Sequence, residues 1–156
     1  MAEAVYLGID FGTSGARAIA LQCDRTILAE MSVSFNPVAP EIRPTMWQST
    51  LFELIQALPS EVRSRLHRIA INGTSATVLL CDGQGQPVAP PLMYNDTGNQ
   101  DIVELVKTIA PNGHPVTSAS SSLTKLIQWH QHGLTASANY FLHQADWLAS
   151  LLHGQL

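Results

Sequence analysis

With 156 residues, 46% of them apolar and only 13% charged, the sequence has material for one domain with a real core, too little for two, and none of the character of a disordered chain. The net charge of −4 comes with scattered basic residues; the one local cluster, Arg63-Arg65-Arg68, reads as a solvated helix end, so the basic face that nucleic acid requires is missing. No apolar run approaches a membrane span, no basic segment leads into a long apolar core at "MAEAVYLGID", which predicts no secretory leader, and Cys23 and Cys81 form no CxxC, as suits a reducing cytoplasm.

In chain order, Val5 to Ile9 is a short apolar run, Ala16 to Leu21 another, and "ILAEMSVSF" (27–35) alternates apolar and polar with period two. Three strands this close leave no room for helices between them and predict an antiparallel meander. "NPVAPEIRP" (36–44) is a proline-rich loop. Thr45 is placed to cap a helix through "MWQSTLFELIQAL", whose Trp47, Leu51, Leu54, Ile55 and Leu58 share a face, with Pro59 as its stop. "RIAI" (68–71) and "TVLLC" (77–81) read as strands around "NGTSA", and "DGQGQP" (82–87) as a turn. Beyond residue 98 the pattern is helical: Asp101 to Ile109 with Ile102, Leu105, Val106 and Ile109 in register; "LTKLIQWHQH" capped by Ser121 or Ser122 and ended by Gly133; and "QADWLASLLHG" (144–154) stopping at Gly154. Strands, a helix, more strands and then helices predict an α/β fold with a mixed sheet and no linker that divides it.

Three loops carry candidate chemistry. In "DFGTSG", Gly12 and Gly15 allow a tight turn with exposed amides, and Thr13 and Ser14 add hydroxyl donors, together forming an anion-binding concavity. Asp10 ends a strand expected to be buried, where a bare carboxylate needs donors or a cation. A phosphate with Mg²⁺ satisfies all of these groups; the plain alternative is a hairpin turn with a surface acid. The motif is neither GxxxxGK[ST] nor GxGxxG. The second loop, "NGTSAT" (72–77), is another small-residue break, equally readable as a polar crossover. The third, "PLMYNDTGN" (91–99), offers the Tyr94 ring and the mixed donors and acceptors of Asn95 and Asp96, groups that suit a polyol but also make good turns.

The order "DFGTSG", "NGTSATVLLCDGQGQPVAPPLMYND", "KLIQWHQH", "QADWLASLLHG" resembles the N-terminal domain of the FGGY carbohydrate kinases, within the sugar kinase–actin–Hsp70 superfamily, over nearly the whole chain. It is similar in particular to the xylulokinase-like and ribulokinase-like proteins of cyanobacteria and plants. The resemblance implies a ribonuclease H-like mixed sheet with flanking helices, incomplete here, with residues 1–156 as the first part of the family's domain I. It implies that Gly12, Thr13, Ser14 and Gly15 lie at the ATP phosphates and that Asp10 sits near Mg²⁺ through water. It further implies that Gly73, Thr74, Ser75 and Ala76 line the sugar site and that Tyr94, Asn95 and Asp96 close it. Lys125 and Trp129 look like the lysine and tryptophan of the family's later helix, read as structural. Three positions depart from the xylulokinase pattern: Ala76 stands in place of histidine, Tyr94 of tryptophan, and Gly98 of the arginine after the "ND" pair.

Family chemistry is phosphoryl transfer from ATP to a sugar hydroxyl, which needs a carboxylate base. Asp82, Asp96, Asp101 and Asp146 are not obvious candidates, so the base is expected beyond residue 156 and the chain alone is expected to show little kinase activity. The implied substrate is a ketopentose such as ribulose or xylulose. Apolar surface left open by a partial sheet predicts a homo-oligomer or domain swap. The six histidines show no metal spacing, and Thr13 and Ser14 lack the partners of a nucleophile. Two other readings remain: a non-catalytic sugar- or nucleotide-binding module on the same fold, and an actin- or Hsp70-like ATPase, against which "YND" argues.

Overall fold

The computed structural model describes residues 3–156. Three strands, β1 (Val5–Phe11), β2 (Gly15–Leu21) and β3 (Ile27–Ser34), form the expected antiparallel meander. The chain then passes through a 3₁₀ turn at Pro40–Ile42 into helix α1 (Arg43–Gln56) and a one-turn helix α2 (Ser60–Arg63). Strand β4 (Leu66–Gly73) returns parallel to β1 and completes a mixed sheet of order β3-β2-β1-β4. The remaining elements are β5 (Val78–Cys81), α3 (Gln100–Ile109), α4 (Ser122–Gln131), β6 (Tyr140–His143) and α5 (Gln144–His153).

The core follows from the strand alternation. Val5, Leu7, Ile9 and Phe11 of β1 and Ala16, Ala18 and Ala20 of β2 point to one side, where Trp47, Leu51 and Leu54 of α1 and Trp147 and Leu148 of α5 cover them. The other side of the sheet is open: Gly8, Asp10, Ala70 and Asn72 are exposed. β5 is buried along its whole length because it lies between two clusters. Its Leu79 and Cys81 join the main core, while Val78 and Leu80 pack with Trp129 of α4 and Phe141 of β6. An uninterrupted apolar run is what a strand covered on both faces requires.

Three expectations are corrected and one alternative is resolved. β5 pairs antiparallel with β6, a strand the sequence did not suggest, and belongs to a separate two-stranded sheet. Thr45 lies inside α1 and does not cap it; the helix starts two residues earlier, since Pro44 in the first turn has no amide hydrogen to leave unpaired. On α3 the buried residues are Ile102, Val103 and Val106, whereas Leu105 and Ile109 face solvent. Ser121 is the cap of α4, accepting from Thr124 N at 3.2 Å. Gly154, in the left-handed region, ends α5 as expected. Among the described residues no helix is long and apolar enough to cross a membrane.

Candidate functional site

Strand register sets the first side chain. Asp10 lies opposite Arg17 on β2 and opposite Asn72 on β4, and Asn72 Nδ2 donates to Asp10 Oδ1 at 2.7 Å. Asp10 is exposed on the open sheet face, while its neighbour Phe11 is fully buried. The expected desolvation cost is therefore absent: the carboxylate is water-accessible and held in orientation by an amide.

The turn that follows is closed by Gly12 N donating to Gly15 O at 2.9 Å. Neither glycine needs a left-handed backbone. Gly15 is required by proximity instead, because a Cβ there would stand 2.5 Å from the Val33 carbonyl oxygen of β3. Thr13 and Ser14 sit exposed at the tip. The turn divides two clefts. One, of about 340 Å³, is lined by polar groups including Asp10, Ser14, Arg17, Ser32 and Ser34. The other, of about 360 Å³, is lined by Thr13, Ser14, Asn36, Arg43, Trp47 and Met93 among others.

The second loop docks beneath this turn. Thr74 Oγ1 donates to Phe11 O at 3.1 Å, and Thr74 N donates to Gln144 Oε1 at 2.9 Å. Gly73 permits the start of α5 to approach, since a Cβ would stand 3.0 Å from Ala145 N. Ser75 is exposed, and Ala76 adopts a left-handed backbone at φ 57°. In the third loop, Asp96 N donates to Met93 O at 3.0 Å and Met93 N donates to Asp96 Oδ2 at 2.7 Å. The Asp96 carboxylate thus shapes its own turn, leaving Tyr94 and Asn95 exposed. The second and third loops meet at Lys125 of α4, which is fully buried. Its ammonium donates to Ala76 O at 2.7 Å and to Met93 O. Burial pushes the Lys125 pKa down, and the nearby Asp96 charge opposes that shift.

The structure thus brings the turn at Gly12–Gly15 together with Gly73 and Thr74 through Phe11, and ties Ala76 to the 93–96 turn through Lys125. Asn72 and Gln144 were not singled out from the sequence. Asn72 opened a quoted motif, but only the parallel β1–β4 register shows what it holds; Gln144 carried no signal. The Gly98 departure also has a structural reason. A Cβ at that position would collide with Thr124 Cγ2 of α4, so a larger residue there requires Thr124 to shift. Among the described residues no group of three or more His, Cys, Asp or Glu could hold a metal ion. A Mg²⁺ bound by one carboxylate, waters and phosphate oxygens is nevertheless compatible with Asp10, since that ion keeps most of its water.

No family model matches the chain. The xylulose kinase of Staphylococcus xylosus is 30% identical over 110 residues, which cover 67% of this chain and 23% of that protein. A crystal structure of a xyloylose kinase from Brucella ovis superposes with a TM-score of 0.75 at 21% identity, over 94% of this chain and 34% of that one. The chain matches the N-terminal portion of the FGGY carbohydrate kinases. A gluconate kinase from Lactobacillus acidophilus superposes with a TM-score of 0.73 at 12% identity, over 96% of this chain and 33% of that one, so the sugar-kinase fold is shared by proteins named for different sugars. The chain spans about a quarter of the curated relative and a third of the solved structures. Its mixed sheet with flanking helices is part of the fold seen in those sugar kinases.

Proposed function

We propose that this chain carries the phosphate-binding and sugar-binding half-sites of an ATP-dependent kinase acting on a ketopentose such as ribulose or xylulose, as the first part of domain I of that enzyme. The observation that carries the reading is the position of the Gly12–Ser14 turn as the wall between two clefts. The polar one contains Asp10, and the other reaches Met93, immediately before Tyr94-Asn95-Asp96. Both clefts share Ser14, so donor and acceptor would meet at the turn, side by side and in line as direct phosphoryl transfer needs.

Magnesium ATP, when bound, supplies the phosphoryl group and neutralises its charge. Thr13 and Ser14 would turn their amides and hydroxyls toward phosphate oxygens, in a turn that Gly12 N closes onto Gly15 O and that Gly15 keeps close to β3, and Asp10 would hold a water of the metal. Tyr94 lays its ring on the sugar's C–H face, and Asn95 offers both a donor and an acceptor to hydroxyls. No carboxylate lines the 360 Å³ cleft, so in this reading other residues of the enzyme provide the base. That same absence favours a second reading, a sugar- or nucleotide-binding module without catalysis. The reading also places the protein in the cytoplasm and lets the isolated chain self-associate along its open β4 edge.

Titration of the 156-residue chain, followed by amide chemical shifts, tests the reading. Magnesium ATP is expected to move Gly12–Gly15, and a ketopentose to move Tyr94–Asp96. In an enzyme containing this segment, Asp10→Ala is expected to lower sugar-dependent ADP formation by roughly 10²-fold or more. Undiminished phosphorylation by that variant overturns the proposal, and binding without turnover by the intact protein selects the module.

A further inference from the structure

Lys125, on helix α4, is the one fully buried cation among the described residues. The helix is anchored by Trp129, packed against Val78 and Leu80 of β5, and its first turn is capped by Ser121. From that fixed base the lysine stem reaches two loops that are 17 residues apart in sequence, counting Ala76 to Met93. Both of its recorded acceptors are main-chain carbonyls, one in each loop.

We propose that Lys125 is a positioning residue of the sugar site: its ammonium ties the Ala76 and Met93 carbonyls together, so that the 74–77 and 93–96 segments hold one geometry and move as one. The proposal rests on the sugar-site reading for its consequence, but not for its mechanics. Three features show that the tie acts on conformation. Ala76 holds a left-handed backbone without being glycine, which costs about 1–2 kcal/mol unless the surroundings fix it, and its carbonyl is one of the two that Lys125 grips. Met93 O accepts both from Lys125 and from Asp96 N, and Asp96 returns a bond to Met93 N. The carboxylate that stabilises the buried ammonium is therefore the same group that closes the turn presenting Tyr94 and Asn95. A lysine serving only the packing of α4 would need neither loop.

Such bonds from a charged donor, once lost, weaken local protection by about tenfold or more. The test is amide hydrogen exchange of the 156-residue chain, wild type against Lys125→Met, which keeps the stem and removes the ammonium. The expected result is that protection falls by about tenfold or more in 74–77 and in 93–96 together. Leu7 and Ile9 in the sheet are expected to retain theirs. Loss in one segment only, uniform loss through the core, or no loss overturns the proposal. Should Lys125→Met not fold, the wild type decides: a ¹⁵N-lysine spectrum must show a slowly exchanging ammonium coupled through hydrogen bonds to both carbonyl carbons, and a free ammonium signal overturns the tie. A ketopentose added to both proteins separates the two readings. Shifts at Tyr94–Asp96 in the wild type that need about tenfold more sugar in Lys125→Met support both. A cooperative loss of protection with no sugar response in the wild type leaves the tie standing and removes the sugar site.

Discussion

Ala76 and Cys81 show how burial and backbone decide the behaviour of single residues. At φ 57°, Ala76 carries left-handed strain of about 1–2 kcal/mol. Glycine would relieve it while adding about 0.5–1 kcal/mol of unfolded-state entropy. Ala76→Gly is therefore expected to raise stability by roughly 0.5–1 kcal/mol, read as a higher urea midpoint with an unchanged slope; a lower midpoint refutes the strain. Cys81 is fully buried, and burial, with Asp82 adding to it, pushes its thiol up to about 11. Cys23 is exposed. At pH 8 a disulfide reagent is expected to modify Cys23 promptly and Cys81 only upon unfolding. The sign of the linkage also follows. A raised folded pKa contributes stability below the unfolded thiol value of about 8.5 and loses it as pH climbs toward about 11. Thermal midpoints should decline over that window, and less steeply in Cys81→Ala.

At the scale of elements, two local contacts decide whether the site is assembled. β2 begins at Gly15 because nothing larger fits beneath β3, so Gly15→Ala must push Val33 away or shift the strand. A loss of about 1–3 kcal/mol is expected, with chemical-shift changes along β3; an unperturbed β3 would show that the strand has room to give. Helix α4 depends on Ser121, whose hydroxyl accepts from Thr124 N. Ser121→Ala is expected to cost about 1 kcal/mol and to fray the turn just before Lys125. Much of this was legible in the residues: the meander, the Ser121 cap and the Gly154 stop each rest on local chemistry. The β5–β6 pairing was not legible, because the four residues Tyr140–His143 are too few for a periodic signal. The exposure of Leu105 and Ile109 was hidden for a related reason. Helical spacing defines a face but does not say how wide a stripe the neighbours will cover.

For the whole molecule the open sheet governs. One face exposes Gly8, Asp10, Ala70 and Asn72, and β4 forms an edge with Ile69 exposed. An unpaired edge of eight residues is a template for another strand. Light scattering is expected to show mass rising with concentration, and Ile69→Lys to suppress it; a monomer at all concentrations removes self-association. The same open face explains why the burial argument for Asp10 failed. From the sequence, Asp10 is expected to end a buried strand. In the folded chain one side meets water, so the acid is oriented by Asn72 and not forced to find a cation.

Local chemistry in the sequence was enough to determine the three-stranded start, the hydroxyl-bearing turn, the helical second half and the likeness to sugar kinases, because strand periodicity, caps and small-residue turns are written in neighbouring positions. Tertiary structure alone decided that Asn72 holds Asp10, that Thr74 docks on Phe11 and that Lys125 joins two loops. Each of those contacts spans either a strand register or a helix approach, and neither distance nor direction across the fold is encoded in adjacent residues.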